Sequence, residues 1–261
     1  MCIRDSLYEK SSKPGGLVPL AAMVKGTELE DLPAIIKYLD GQVRKLGVNV
    51  NYGKEATAEL ILASRPDTVI LATGGNYASP DIPGIDRKRV VSNAALHKQL
   101  KFYLKFFSPQ FLRSMTKFWM PVGKQVVIIG SGLHGLELAE YLTWRGRNVT
   151  VVDSAERPGE SMVDVLLAYL MTWFEKKGTT VLNGVKELKI LDDGVTFIDA
   201  NGKRTTLKAD TIIPALPMVP DNSLAQALQG KVPQVIQVGD CKEPLLIADA
   251  IGTGLRSIRE I

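Results

Sequence analysis

A glycine-rich segment at residues 130–135 has the spacing G-x-G-x-x-G. It follows the run of β-formers at 125–129 and precedes a helical pattern that ends near Arg145. In this context the free N–H groups and the positive end of a helix can bind a diphosphate. Asp153 ends the next run of β-formers, where a carboxylate can accept hydrogen bonds from ribose hydroxyls. The pattern therefore predicts a dinucleotide site. The loop residues are Gly130, Ser131, Gly132, Leu133, His134 and Gly135.

The three glycines have separate roles in this prediction. Gly130 permits a tight turn, Gly132 removes a Cβ that would block the diphosphate, and Gly135 lets the helix pack close to the sheet. Asp153 would repel the additional 2′-phosphate of NADPH, so we expect NADH to be preferred. Arg157, four residues further on, is the feature that would favour NADPH instead.

Other polar residues near the loop allow more than one interpretation. Glu137 is either an acid stabilised by the helix dipole, by ~0.3–1 kcal/mol, or a group that approaches a nicotinamide ring. His134 has no carboxylate or nucleophile nearby in sequence, so we expect it to fill the loop, and we predict no catalytic residue. We expect Cys241, beside Asp240, to be a small buried residue rather than a redox centre.

Length, hydropathy and cysteine content exclude several classes of protein. The 261 residues allow one large or two modest domains. No apolar run approaches the roughly 18 residues of a membrane span. Cys2 and Cys241 are the two cysteines, which excludes a disulfide framework, a C-x-x-C pair and a four-cysteine metal or iron–sulfur site. A cytoplasmic location is the default expectation, and no metal site is predicted.

The start of the chain does not fit a folded domain. Residues 1–6 are typical of neither a signal peptide nor a strand, and we interpret them as an artefactual leader. Leu7–Glu9 is typical of a strand that ends in an acid, and Glu9 alone is compatible with a surface position or with a ribose acceptor. Because only eight residues precede Glu9, we expect a truncated chain without a first strand and its glycine loop.

The remaining pattern is typical of an α/β protein with a β meander. The residues 67–73 include four consecutive apolar positions, which predict a strand buried on both faces. The other predicted strands are 48–51, 125–129, 148–153, 179–182, 187–191, 195–199, 205–207, 210–213 and 235–238. The predicted helices are 28–46, 133–145, 161–177 and one that begins near residue 247.

Several stretches carry a resemblance to a known family. They are Trp119–Gly123, Gly135–Glu140, Arg145–Arg147, Val238–Cys241 and, more widely shared, Ala72–Gly75. On these residues, 7–261 resembles the C-terminal flavin and pyridine-nucleotide half of two-part old-yellow-enzyme relatives. That family includes 2-enoate reductases, 2,4-dienoyl-CoA reductases and NADH:flavin oxidoreductases.

The resemblance implies a Rossmann-like FAD domain, truncated at its N-terminus, that is interrupted by an inserted Rossmann-like NAD(P)H domain. The FAD domain would comprise 7–117 and 226–261, and the insertion 118–225. Glu9 would bind the FAD adenosine ribose, and Asp240 would accept from the ribityl chain. The residues assigned to FAD are Glu9, Lys10, Gly15, Gly16, Ala72, Thr73, Gly74, Gly239 and Asp240.

The implied chemistry is hydride transfer from NADH to FAD. In the family, electrons then pass through an iron–sulfur cluster to FMN in an N-terminal barrel, which reduces an enoate or enoyl-CoA double bond. That barrel lies outside this sequence and would be the partner of this chain. Two alternatives stay open: another NADH:flavin dehydrogenase of the same superfold, and a non-catalytic nucleotide-binding module.

Residues 87–136 contain nine Lys or Arg and no acidic residue. Seven aromatic residues lie between His97 and Trp119. We interpret 87–120 as an interdomain connector whose aromatic side chains pack. The alternatives are a docking face for the barrel or an acyl-CoA, and a surface for single-stranded nucleic acid or membrane.

Overall fold

The computed structural model describes residues 6–25, 31–77, 80–92, 100, 102–104, 106–160, 162–259 and 261. The expected leader, apart from Ser6, and the start of the helix expected at 28 lie outside these residues. Two compact units form. Unit 1 comprises Met1–Val18, Asp31–Ala78 and Met218–Ile261, and unit 2 comprises Pro19–Glu30 and Ser79–Pro217. The functional boundaries at 117/118 and 225/226 stay predictions.

The described elements alternate strands and helices, and the predicted α/β class is confirmed. The strands are β1 (Ser6–Glu9), β2 (Asn49–Tyr52), β3 (Thr68–Leu71), β4 (Gly75–Tyr77), β5 (Gln125–Ile129), β6 (Asn148–Val152), β7 (Thr180–Leu182), β8 (Lys186–Ile190), β9 (Gly194–Ile198), β10 (Arg204–Lys208), β11 (Thr211–Pro214), β12 (Met218–Pro220) and β13 (Gln234–Gln237). The helices are α1 (Val18–Lys25), α2 (Leu32–Lys45), α3 (Ala58–Ser64), α4 (Pro109–Met115), α5 (Leu133–Trp144), α6 (Asp164–Lys177), α7 (Ser223–Leu228) and α8 (Ile247–Ser257), with a 3-10 turn at Gly239–Cys241.

Local chemistry explains where several helices begin and end. The Asp31 side chain accepts a hydrogen bond from the N–H of Ala34, so α2 begins at Leu32, with Pro33 in its first turn. Gly178 adopts φ +76° and ends α6, as its position in the sequence predicts. No helix in the described part of the chain is both long and apolar enough to cross a membrane.

Unit 2 is built on a four-stranded parallel sheet in the order β11-β5-β6-β7. Side chains along β5 alternate between two cores, because successive residues of a strand point to opposite faces. Val126 and Ile128 pack with Leu136 of α5 in one core. Val127 and Ile129 pack in the other core, which includes residues of the antiparallel β10-β9-β8 sheet. The central sheet is therefore covered on both faces.

Helix α5 also carries an aromatic contact on the outside of unit 2. The rings of Trp144 and Trp173 lie 5.3 Å apart, and the Nζ of Lys177 lies 5.9 Å from the Trp144 ring centroid. Trp144 is 60% exposed, so the pair forms part of the surface of this unit.

Unit 1 has smaller sheets. β1 pairs with β2 and β3 pairs with β13, both in parallel, and β4 pairs with β12 in the antiparallel direction. The expectation that β3 is buried on both faces is wrong, because Ile70 is 47% exposed. In the described residues β3 has β13 as its one neighbour, and Leu71 lies in a buried core against which the partly buried Val69 packs.

Helix α8 of unit 1 leaves an apolar face in solvent. Ile247, Ile251, Leu255 and Ile258 are spaced at helical intervals, and their exposures range from 37% to 68%. This face and Ile70 leave unit 1 with much apolar surface uncovered.

The close approach of α5 to β5 yields the first prediction. A Cβ added to Gly135 would overlap the carbonyl oxygen of Gly130, which is backbone and cannot turn aside. We expect Gly135→Ala to reduce the free energy of unfolding of unit 2 by about 1–3 kcal/mol. Urea denaturation followed by circular dichroism measures the change. The matched control is Gly132→Ser, at a position with no atom within 4 Å of the added Cβ, and an equal loss in both variants would contradict the prediction.

Candidate nucleotide-binding site

The glycine loop 130–135 joins the carboxyl end of β5 to the start of α5. Gly130 adopts φ +112°, which favours glycine, and its N–H donates to the carbonyl oxygen of Val152 at 2.9 Å. A Cβ on Gly130 would lie 2.6 Å from the carbonyl oxygen of Ala215. Both Gly130 and Gly135 are therefore required by the fold itself.

Gly132 differs from both, because neither conformation nor packing requires a glycine there. Its φ of −67° is open to any residue, and a Cβ would meet no protein atom within 4 Å. A molecule bound in front of the loop would account for the missing side chain. This open position fits a diphosphate that approaches the backbone closely.

The N-terminus of α5 is suited to an anion. The first N–H groups of a helix lack intrahelical partners. Asp31, Thr57 and Ser108 accept such hydrogen bonds at α2, α3 and α4, whereas Gly132 at the start of α5 has no side chain that could do so. The positive end of α5 therefore lies beside the open space at Gly132.

Asp153 follows β6 and is held against the glycine loop. Its Oδ2 accepts from the N–H of Ser131 at 2.5 Å and from the Ser131 hydroxyl at 2.8 Å, and its Oδ1 accepts from the N–H of Ala155 at 3.0 Å. A carboxylate has about four acceptor sites, so these three bonds orient it and leave capacity for a ribose hydroxyl.

Asn183 completes this arrangement and was missed at the sequence level. Its Nδ2 donates to the hydroxyl oxygen of Ser131 at 2.8 Å and to the carbonyl oxygen of Ala155 at 3.0 Å. Its position directly after the predicted strand 179–182 could have indicated this role, because the loops at the carboxyl ends of neighbouring parallel strands meet at one edge of the sheet.

The sequence left the role of Glu137 open, and the structure gives it an ionic partner. Its carboxylate lies 3.4 Å from the Nζ of Lys25. The helix dipole acts most strongly in the first turn of α5, and Glu137 lies beyond that turn. Burial raises the pKa of the nearby Glu140 above its ordinary value, and the negative charge of Glu137 raises it further. A hydrogen bond with Trp144 lowers the same pKa, but by less than burial raises it. His134 is exposed on the first turn of α5.

In unit 1 the structure brings together the residues after β3 and β13. The N–H of Val238 donates to the carbonyl oxygen of Leu71 at 2.9 Å, so the two parallel strands end side by side. Gly74 adopts φ +82° with open space around its Cβ position, and Gly239 adopts φ +63°. Ala72 and Thr73 are exposed at this edge, and Asp240 is half-buried in the 3-10 turn.

The other residues assigned to FAD lie at the end of the β1-β2 sheet. The Oε1 of Glu9 accepts from the N–H of Ser11 at 2.6 Å, and Lys10 follows it in an exposed position. Gly15 adopts φ +111° with its Cβ position against Ile36, whereas Gly16 faces open space. The described strands do not join this sheet to the β3-β13 sheet, so the nine residues form two groups.

The Cys241 side chain is fully buried beneath this edge. Its Sγ lies 3.0 Å from the carbonyl oxygen of Leu71 and 3.2 Å from that of Val238. The expectation of a small buried residue is confirmed.

The arginines of the basic stretch, residues 87–136, form ion pairs and hydrogen bonds within unit 2. Arg87 pairs with Asp192, and Arg89 donates to the carbonyl oxygen of Ala209 at 2.6 Å. Arg113 donates to the carbonyl oxygens of Met23 and Val24 at the end of α1. These contacts tie the basic stretch to the rest of unit 2. The expectation that the aromatic side chains of this stretch pack is wrong, because all seven are exposed, from 43% at Phe107 to 92% at Phe118.

Comparison with known proteins identifies the family of this chain. Residues 36–241 match the pyridine nucleotide-disulphide oxidoreductase family. The chain is 31% identical to a bilirubin reductase of Mediterraneibacter gnavus, with 91% of this chain and 34% of that protein covered. It is 29% identical to an NADH oxidase of Thermoanaerobacter brockii, with 96% and 36% covered.

A solved structure agrees with these sequence relatives. The complex of 2-naphthoyl-CoA reductase with 2-naphthoyl-CoA superposes with a TM-score of 0.77 at 30% identity, covering 96% of this chain and 35% of that one. The chain thus spans about a third of the length of each of these three proteins.

These matches confirm the resemblance to the nucleotide-binding half of two-part reductases and support binding of NADH and FAD. The family match includes the whole glycine loop of unit 2 and the residues after β3 and β13 in unit 1, up to residue 241. The chain belongs to the pyridine nucleotide-disulphide oxidoreductase family.

Proposed function

We propose that this chain is the electron-input part of a longer NADH-dependent flavoprotein reductase, with NADH bound by unit 2 and FAD by unit 1. When bound, NADH supplies a hydride and FAD accepts it. The observation that carries the proposal is the open Gly132 position at the N-terminus of α5, beside the fixed carboxylate of Asp153.

Different residues of unit 2 would bind different parts of NADH. The N–H groups at the start of α5 would bind the diphosphate, and Gly132 leaves room for it. Asp153 would accept from the adenosine ribose and would repel a 2′-phosphate. The ion pair of Lys25 and Glu137 lies one turn further along α5, and Glu137 would approach the nicotinamide half of NADH.

The residues of unit 1 fit a second nucleotide in the same way. Glu9 ends a parallel strand, as a ribose acceptor would. Gly16 and Gly74 both have positive φ and open space where a side chain would be, which suits close contact with a ligand. Thr73, Gly239 and Asp240 lie at the shared edge of β3 and β13, where Asp240 would accept from the ribityl chain.

Uncovered apolar surface and length together support a longer parent protein. The exposed face of α8 and the exposed Ile70 are surfaces that a further segment would cover. The reductases matched here are about three times as long as this chain. We infer that the remainder is the barrel with FMN and an iron–sulfur cluster, and that the parent reduces an enoate or enoyl-CoA double bond.

Anaerobic mixing tests the proposed electron input. We expect the chain, supplied with FAD, to bind the flavin and to bleach its absorbance when NADH is added, because both nucleotides are bound in one protein. The measurement is flavin absorbance against time, with ADP-ribose in place of NADH as the control. A colourless chain that binds NADH without oxidising it would support the non-catalytic alternative.

Substitution of Gly132 tests the diphosphate position. We expect Gly132→Val to weaken NADH binding at least tenfold, because its side chain would occupy the open space at the start of α5. Fluorescence titration with NADH measures the dissociation constant. The matched control is Gly41→Val, which adds the same side chain in open space on α2. Coincident curves for Gly132→Val and the unaltered chain would contradict the assignment.

Removal of the Asp153 charge tests the choice of nucleotide. We expect Asp153→Asn to weaken NADH binding about tenfold and to weaken NADPH binding less, because the repulsion of the 2′-phosphate is lost. Titration with both nucleotides gives the ratio of the two dissociation constants. Glu156→Gln removes an exposed charge from the same loop and serves as the control. An equal change of the ratio in both variants would argue against a positioned carboxylate.

A further inference from the structure

Asn183 connects three loops at the carboxyl edge of the sheet in unit 2. Its side chain is half-buried directly after β7, and it contacts the glycine loop through Ser131 and the loop after β6 through Ala155. We propose that Asn183 is a positioning residue that determines the preference for NADH over NADPH by holding the Asp153 carboxylate in place. This inference rests on the proposed binding of NADH by unit 2.

The direction of the hydrogen bonds follows from the chemistry of the groups. The carbonyl oxygen of Ala155 can only accept, so the Asn183 atom 3.0 Å from it must be the amide nitrogen. The same nitrogen has a second hydrogen, which it donates to the hydroxyl oxygen of Ser131 at 2.8 Å. With that oxygen accepting, the single hydroxyl hydrogen of Ser131 is free to be donated to Asp153.

The Ser131 hydroxyl is therefore the donor to Asp153 that depends on Asn183, whereas the N–H of Ser131 donates to the same Oδ2 at 2.5 Å independently of it. Oδ2 accepts from Ser131, and Oδ1 accepts from the N–H of Ala155, whose carbonyl oxygen is bound by Asn183 and by the N–H of Gly184 at 2.8 Å. Without Asn183 the Ser131 hydroxyl can turn away, and the Asp153 carboxylate keeps only the N–H donors of Ser131 and Ala155. A carboxylate that has lost one of its three donors is held less firmly and discriminates less against a 2′-phosphate.

Two substitutions of Asn183 test this role. Asn183→Leu keeps the volume without the donors, and Asn183→Ala removes the side chain. For both we expect the ratio of the NADPH to the NADH dissociation constant to fall by about three- to tenfold, chiefly through weaker NADH binding. Titration of the full chain with each nucleotide measures the ratio. Asn201→Ala, in the exposed turn before β10, is the control expected to leave the ratio unchanged.

A double-mutant cycle tests the path through Ser131. In a chain that already carries Ser131→Ala, we expect Asn183→Leu to change the ratio by no more than about twofold, because the hydroxyl that transmits its effect is gone. A full three- to tenfold change in that background would overturn the proposed path.

The ratio separates a positioning role from general support of the loops. An equal weakening of NADH and NADPH binding in both Asn183 variants, with the ratio unchanged, would overturn the inference and leave the proposed function standing. Failure of the unaltered chain to bind either nucleotide would overturn the proposed function and the inference with it.

Discussion

The contact between the backbone of Gly135 and the carbonyl oxygen of Gly130 determines the geometry of unit 2. No Cβ fits between them, so α5 lies directly on β5 and its N-terminus is held at the end of the sheet. The buried side chains of β5 then supply cores on both faces. The placement of the helix dipole, the open position at Gly132 and the position of Asp153 all depend on this close approach.

The two units differ in how completely they bury their apolar residues. In unit 2 the central sheet is covered by α5 on one face and by the β10-β9-β8 sheet on the other. In unit 1 the one core cluster among the described residues is small, and Ile70 and the face of α8 remain in solvent. Hydrophobic burial is the main favourable contribution to folding, so unit 2 is the more self-sufficient of the two.

Local patterns in the sequence predicted much of this architecture. The bounds of β5 and the end of α6 were read correctly because a run of apolar β-formers and a glycine in the left-handed region act over a few residues. The place of Asp153 at the end of β6 was also predicted, because the spacing from the glycine loop reflects one strand–helix–strand unit, whereas its binding of a ribose stays a prediction. The exposure of Ile70 was not predictable in this way, since burial depends on which segments cover a strand.

The contacts between residues distant in sequence could not be predicted either, because they depend on which segments the fold brings together. Asn183 contacts Ser131 across 52 positions, and Lys25 pairs with Glu137 across more than a hundred. Neither residue carries a local pattern that distinguishes it from a surface amide or lysine. The short helices α3 and α7 were missed as well, because six or seven residues give too little periodicity to recognise.

The division into two units has an optical consequence. The chain contains three tryptophans, and Trp119, Trp144 and Trp173 all belong to unit 2. Indole emission therefore reports on unit 2 alone, whereas the buried thiol of Cys241, in a chain carrying Cys2→Ser, gives a chemical probe of unit 1. Intrinsic fluorescence and thiol labelling followed on one sample would show whether the two units lose their structure together or in sequence.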